Sequence, residues 1–312
     1  MKRILVTGAA GFVGAAVVHQ LLAKGKDVAI IVRPTSDLRR LEKKLDDVTV
    51  IHGDLFAIDD SRREIERFAP EGVAHLGWGG VSGGGRNQAL QLDNLISSIQ
   101  LYRLTEEIGC AYFLGLGSQA EYGIASGKID EQLSPKPTNV YGAAKLATAL
   151  VLDQMSAASG RPFAWLRLFS SYGPDDTPSY LMPYLIRSLL AGEKPALTKA
   201  EQIWDYIHVD DVASAVVASM DAEVKGIYNL GSGVGRPLQE IISMVRDLID
   251  PALPLGFDEV PYSPNQVMHL EANIDALSNA ANWAPEIGLE DGLARVVDWY
   301  REEHMREQVV GL

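Results

Sequence analysis

Three glycines constrain the start of this chain more than any other feature. A short apolar run, Ile4-Leu5-Val6-Thr7, leads into Gly8-Ala9-Ala10-Gly11-Phe12-Val13-Gly14, and an amphipathic stretch follows with Val13, Val17, Leu21 and Leu22 on one side. In a strand–turn–helix unit the first glycine allows the tight turn and the second lets the backbone approach a pyrophosphate. The third lets the helix pack closely on the sheet. The free N–H groups at the helix start, around Phe12 and Val13, face the phosphates. A glycine triplet alone also occurs in plain turns; its place between an N-terminal strand and an amphipathic helix points to a dinucleotide.

The pattern continues as alternating strands and helices. Strands are predicted over 4–7, 28–32, 48–52, 72–76, 111–116 and 163–169, with helices over 12–24, 87–108 and 141–159. The run at 28–32 is almost wholly apolar, as expected of a strand covered on both faces. Beyond Pro174 the rhythm is less regular, and Pro174, Pro178, Pro183 and Pro195 interrupt it. Helices are predicted at 210–221, 237–250, 272–282 and 289–306, and a strand at 226–230. The expected fold is an α/β Rossmann-type doubly wound parallel sheet with a smaller, interleaved C-terminal substrate-binding domain. Residues 1–173 form mainly the dinucleotide-binding part and 174–312 mainly the substrate part, with segments near 205–233 returning to the first.

Composition narrows the partners. The 312 residues carry a formal net charge of −13, which disfavours nucleic acid or an anionic membrane as the main partner. An anionic small ligand remains compatible, because one pocket can be locally positive. Cys110 is the sole cysteine, so no intrachain disulfide or cysteine-rich zinc site is expected. His52, His75 and His208 sit in or beside strands and read as structural, and no metal is expected. The apolar run at the N-terminus is too short for a signal peptide or membrane span, so a cytoplasmic location is expected.

Tyr141 and Lys145 lie four apart on a predicted helix and so share a face. A tyrosine exchanges protons near neutrality only with help, and a nearby ammonium favours its phenolate. Ser118, after the fifth strand, is placed to hold a reacting oxygen. Together with the glycine turn, these residues resemble the extended short-chain dehydrogenases/reductases, the group of nucleotide-sugar epimerases, dehydratases and reductases. The resemblance runs through His52-Gly53-Asp54-Leu55, Ala74-His75-Leu76-Gly77, Leu166-Arg167-Leu168-Phe169 and Tyr172-Gly173-Pro174. It continues through Asp205-Tyr206-Ile207-His208-Val209-Asp210-Asp211-Val212-Ala213 and Asn229-Leu230-Gly231-Ser232-Gly233. Asn282-Trp283-Ala284-Pro285 and Leu289-Glu290-Asp291-Gly292-Leu293 complete it. It implies Ser118, Tyr141 and Lys145 as catalytic residues. It also implies Gly8, Gly11, Phe12, Val13, Gly14, Asp54, Leu55, Leu76 and Gly77, with Tyr141 and Lys145, as cofactor contacts.

The resemblance departs in places that separate subgroups. Dehydratases of this group usually carry Thr-Asp-Glu where this chain has Ser118-Gln119-Ala120, and an amide with a methyl group cannot replace two carboxyls in proton transfer. The direction of Glu121 is open. The segment 117–123, with Trp78 and the glycine-rich loop 79–85, looks like reductases of nucleotide-linked 4-keto-6-deoxy sugars. Reduction of a C4 ketone by NAD(P)H is therefore the leading expectation, and a 4-epimerase with retained NAD is the alternative. A scaffold or redox sensor without chemistry, or a non-sugar carbonyl substrate, stays open. Substrate contacts are expected from Trp78, Gln119, Ala120, Ser171 and Arg187. No acidic residue lies within Ala29 to Ser36 to bind the ribose hydroxyls of NAD, whereas Arg33 and Ser36 suit the phosphate of NADP(H). NADP(H) is expected over NAD(H). A homodimer is expected through helices 87–108 (Leu95, Ile99, Tyr102, Ile108) and 141–158 (Leu146, Leu150, Met155), as in relatives.

Overall fold

A computed structural model describes residues 1–310. Seven strands form one all-parallel sheet: β1 (Arg3–Thr7), β2 (Asp27–Val32), β3 (Val48–His52), β4 (Gly72–His75), β5 (Tyr112–Ser118), β6 (Phe163–Leu168) and, later in the chain, β9 (Gly226–Leu230). Their order is β3-β2-β1-β4-β5-β6-β9, so the direction of winding reverses between β1 and β4. Crevices at such a reversal, outside the carboxyl ends of the strands, are where open α/β sheets bind ligands. Helices α1 (Phe12–Ala23) and α6 (Val209–Asp221) cover one face. Helices α3 (Leu90–Glu107) and α4 (Val140–Ser159) cover the other, and the short α2 (Arg62–Phe68) follows β3. Burial on both faces is why the strands read as continuous apolar runs.

A smaller sheet is built from β7 (Ser170–Tyr172), β8 (Ile203–His208), β10 (Gly235–Pro237) and β11 (His269–Leu270). Its core includes apolar residues of α5 (Leu181–Leu190), α7 (Leu238–Ile249) and α9 (Leu289–Val310). The short α8 (Asp275–Ala281) packs instead on the large-sheet side through Leu277 and Ala281. The chain therefore crosses between sheets at 168–170 and again around 208 and 230.

Three differences from the sequence reading have local causes. Helix α5 contains Pro183, read above as an interruption; it is the third helical residue, where the backbone N–H has no intrahelical acceptor to lose. Strand β8, with Ile203, Trp204 and Tyr206 half-buried and Asp205, Ile207 and His208 buried, belongs to the small sheet. Strand β5 runs on to Ser118, buried over all seven residues, and so delivers that hydroxyl at the sheet's carboxyl edge.

Candidate active site

A cleft of about 640 Å³ lies at the carboxyl edge between the two sheets. One wall is the glycine turn. Gly8 has φ +72°, and a Cβ there would stand 2.6 Å from Gly77 N. A Cβ on Gly14 would stand 2.0 Å from Gly8 O, so the helix start is pressed directly on the turn. Gly11 caps α1 without a side chain, and the helix has no acidic residue in its first turn. Unclaimed N–H groups with a positive helix end facing a cleft fit a dinucleotide pyrophosphate. Gly8, Gly11, Phe12, Val13, Gly14 and Leu76 line the cleft.

Other expected cofactor contacts lie just outside that lining. Gly77 donates its N–H to Thr7 Oγ1 at 3.2 Å, and Leu55 approaches it from behind, where a Gly77 Cβ would meet Leu55 Cδ1 at 2.6 Å. Asp54 accepts the Phe56 N–H at 3.0 Å and starts the 3-10 turn Leu55–Ser61. His75 bridges Thr7 Oγ1 at 2.8 Å and Ser98 Oγ at 2.9 Å; burial, with Lys145 nearby, lowers its pKa to about 3, so it stays neutral.

Ser118, Gln119, Tyr141 and Lys145 share the opposite wall, with Trp78 and Ser171. Ser118 accepts the Ala120 N–H on Oγ at 3.2 Å and turns its hydroxyl to Tyr141. Burial raises the pKa of Tyr141, opposed by the Ser118 hydroxyl and the Arg86 charge. Lys145 Nζ donates to Leu116 O at 2.6 Å and lies 3.9 Å from the Trp78 ring centroid. Burial holds its ammonium down at about 7, against the pull of Glu121. Trp78 is held by its indole N–H on Gln91 Oε1 at 2.7 Å.

Two expected substrate contacts are not in the cleft. Ala120 is buried beneath α4, where its carbonyl is so near Gly142 that a Cβ there would stand 2.3 Å away. Arg187 is exposed on α5 outside the lining. Glu121 turns away from the cleft. Its carboxylate accepts the Ser118 N–H (2.9 Å), the Trp165 indole N–H (2.9 Å) and Arg167 Nε (2.7 Å). The cleft also takes in residues the sequence reading did not single out, Arg40, Arg86, Asp176, Thr177 and Tyr180, and Tyr206 from the Asp205–Ala213 segment. Arg86 directly follows the glycine-rich loop 79–85, so that loop was the available signal. Asp176 sits on a turn, where no periodicity marks it. Burial pushes its carboxyl up to about 7, against the Thr177 N–H and Arg40.

The conspicuous Asp205–Ala213 segment braces the fold. Asp205 accepts N–H bonds from Ser232 (2.8 Å), Gly233 (3.0 Å) and Ala272 (3.0 Å). Asp211 accepts those of Glu286 (3.0 Å) and Ile287 (2.9 Å), joining the last third of the chain to α6.

Comparison with known proteins places this geometry. Residues 4–231 match the model of the NAD dependent epimerase/dehydratase family. The chain is similar to dTDP-L-rhamnose 4-epimerase of Burkholderia thailandensis, with 28% identity over 97% of this chain and 96% of that protein. It superposes on UDP-glucose 4-epimerase of Thermus thermophilus in complex with NAD with a TM-score of 0.86, 25% identity, and coverage of 96% and 99% of the two chains. It also shares the fold of dTDP-glucose 4,6-dehydratase of Bacillus anthracis in complex with NAD, with a TM-score of 0.88, 20% identity, and 98% of each chain covered.

The NADP(H) expectation is overturned: the matching family is NAD dependent, and the Thermus thermophilus structure, 25% identical, holds NAD. Arg33 is exposed and outside the cleft, and Ser36 Oγ accepts the Arg33 N–H at 3.1 Å, closing the turn on itself. NAD(H) replaces NADP(H) as the cofactor. With residues 4–231 matched and relatives aligned along nearly its whole length, the chain belongs to the NAD dependent epimerase/dehydratase family and is an NAD-dependent oxidoreductase of the extended short-chain dehydrogenase/reductase type.

Proposed function

We propose that the protein is a nucleotide-sugar 4-epimerase that keeps its NAD through the cycle. One observation carries this choice: Glu121, the only carboxyl within 118–121, is consumed by Ser118, Trp165 and Arg167, and Gln119 is an amide. The wall beside Tyr141 therefore lacks the acid–base pair that removal of water requires. The relatives favour the same reading over the reductase expectation, since those most similar in sequence include 4-epimerases of dTDP- and UDP-sugars.

Gly8, Gly11, Gly14 and the start of α1 would hold NAD, which when bound would supply a hydride acceptor and donor for the sugar C4 carbon. Tyr141 takes the proton from the C4 hydroxyl and gives it back when the opposite configuration forms. Ser118, whose hydroxyl hydrogen-bonds Tyr141, turns that proton to the C4 oxygen when substrate binds and holds the oxygen at Tyr141. Lys145 would hold the nicotinamide ribose from the same wall as Tyr141. Trp78, Gln119 and Ser171 face the sugar. Proton and hydride both return, so no oxidant or reductant is consumed.

The active unit is proposed as a homodimer paired through α3 and α4. Tyr102 is buried, and Ile99 and Met155 are partly buried against the core, so they face the sheet. The outward apolar residues are Leu92 and Ile96 on α3 and Val140, Leu150 and Val151 on α4. Light scattering at micromolar concentration should give twice the chain mass; a monomer contradicts this pairing.

The test of function is to incubate purified protein, with no cofactor added, with UDP- and dTDP-hexoses and to separate the epimers. Interconversion is expected, together with about one NAD per chain released on denaturation. Tyr141→Phe should cut turnover by about 10²–10⁴-fold with an unchanged unfolding transition. Net NADH oxidation by a 4-keto sugar, without epimer interconversion, overturns the epimerase reading.

A further inference from the structure

The pairing of Tyr141 with Lys145 suggests that the lysine supplies the charge favouring the phenolate. Lys145, whose ammonium also meets Leu116 O and the Trp78 ring, is not the only cation beside Tyr141. The cation over the Tyr141 ring is Arg86, with its Cζ 4.8 Å from the ring centroid.

Arg86 is held there from both sides. Gln91, fully buried on α3, donates its amide protons to Gly80 O (3.0 Å) and Gly85 O (2.9 Å), gathering the loop that ends at Arg86. Asn94 fixes the other end by exchanging hydrogen bonds with Gly79 N and Gly79 O, at 2.9 and 3.0 Å. Asn87, next to Arg86, accepts the N–H of Val140, next to Tyr141, at 3.1 Å. The loop and the start of α4 are thus tied one residue away from the stacked pair.

Arg86 is also unpaired. Arg40 has Asp175 and Arg167 has Glu121, but among the described residues Arg86 makes no ion pair or hydrogen bond, and its Nε is buried without a partner. In a chain with 41 acidic residues against 28 basic ones, an arginine left without a carboxylate in a cleft wall is conspicuous. A guanidinium paired to a carboxylate presents a neighbour with a dipole; an unpaired one presents a full charge.

The charged and titratable groups around Tyr141 come from several elements. Arg86 comes from the glycine-rich turn, Glu121 from behind Ser118, Tyr180 from the segment before α5, and Lys145 from α4 itself. Of these, Arg86 favours the phenolate, while Glu121 and Tyr180 oppose it.

We propose that Arg86 is the positioning residue that sets the proton affinity of Tyr141, its unpaired charge opening the phenolate state for proton abstraction. This rests on Tyr141 being the proton-transfer group. The test reads Tyr141 directly, so it succeeds or fails independently of which sugar is turned over. Phenolate absorbance is titrated with pH in the NAD-containing protein, and Tyr141 is isolated by subtracting the matching Tyr141→Phe variant. Wild type, Arg86→Gln and Arg86→Lys are compared over the pH range in which each stays folded.

Arg86→Gln should raise the Tyr141 midpoint by about one pH unit or more, and Arg86→Lys should raise it by less than half as much. Once a substrate is in hand, the rising limb of the turnover–pH profile should move up by the same amount. An unmoved midpoint in Arg86→Gln overturns the proposal. So does an equal rise in both variants, which would assign the effect to shape instead of charge, and so does the absence of any Tyr141 ionisation in folded wild type.

Discussion

Glu121 and Asp176 are both acids buried beside one cleft, and they face opposite demands. Glu121 lies on the Rossmann wall, fully buried, with three donors on its two oxygens, one of them the Arg167 guanidinium. Asp176 lies across the cleft, after Pro174, and among the described residues accepts only the Thr177 N–H, at 2.6 Å. Burial alone does not decide what an acid does; the donors around it do. The satisfied carboxylate is a fixed part of the floor. The under-satisfied one keeps its proton to about pH 7 and stays available to polar groups entering the cleft.

The largest expected effect comes from breaking the satisfied site. Glu121→Ala strands Arg167, whose side chain is 4% exposed, as an uncompensated buried charge. Losses of this kind cost about 3–5 kcal/mol. The variant should unfold at much lower denaturant with an unchanged dependence on denaturant concentration. A loss below about 1 kcal/mol would mean that water or a rearranged partner replaces the carboxylate, and the contrast with Asp176 would collapse.

Asp176 gives the next effect, and it depends on pH. Its folded pKa is raised to about 7 from 3.8, so between these values the folded chain holds a proton that the unfolded chain has released. Stability therefore falls as pH rises through that window: the cost is absent below the lower value and complete above the upper one. Asp176→Asn removes the titration. Its advantage over wild type should be nil near pH 4 and grow to a few kcal/mol by pH 8, on the order of 1.4 kcal/mol for each pH unit that separates the two pKa values. Melting temperatures across pH would record it, and parallel curves for the two proteins would refute it.

The two acids also differ in how far the sequence foretold them. The glycine turn was legible because backbone geometry permits few residues there: a Cβ on Gly14 would sit 2.0 Å from Gly8 O. Tyr141 and Lys145 were legible as a helical pair, and β5 led visibly to Ser118. Glu121 was visible but not its direction, because that depends on Trp165 and Arg167, which reach it from β6, more than forty residues on. Asp176 and Arg86 sit on turns with no period to betray them. Asp205 and Asp211 belong to a recognisable segment, yet they bond to N–H groups of residues 232–233, 272 and 286–287, a role that only the folded chain reveals.

The smallest effect concerns Asp175, which sits beside Asp176 and yet is paired. It has φ 59° and accepts Arg39 at 2.6 Å and Arg40 at 3.1 Å, tying the far side of the cleft to the segment after β2. The tie does not depend on the carboxylate, however. Arg40 also donates to the Asp175 backbone carbonyl from Nε (3.2 Å) and from a terminal nitrogen (2.7 Å), and to Ala10 O at 3.3 Å. Arg39 is 55% exposed, so its pair is screened by water and salt. Asn keeps the tolerance for a left-handed backbone and loses only the charge. Asp175→Asn should therefore cost less than about 1 kcal/mol, with the small difference shrinking further in high salt. A loss of several kcal/mol, insensitive to salt, would show that the carboxylate itself holds the cleft together and that Asp175 belongs with Glu121.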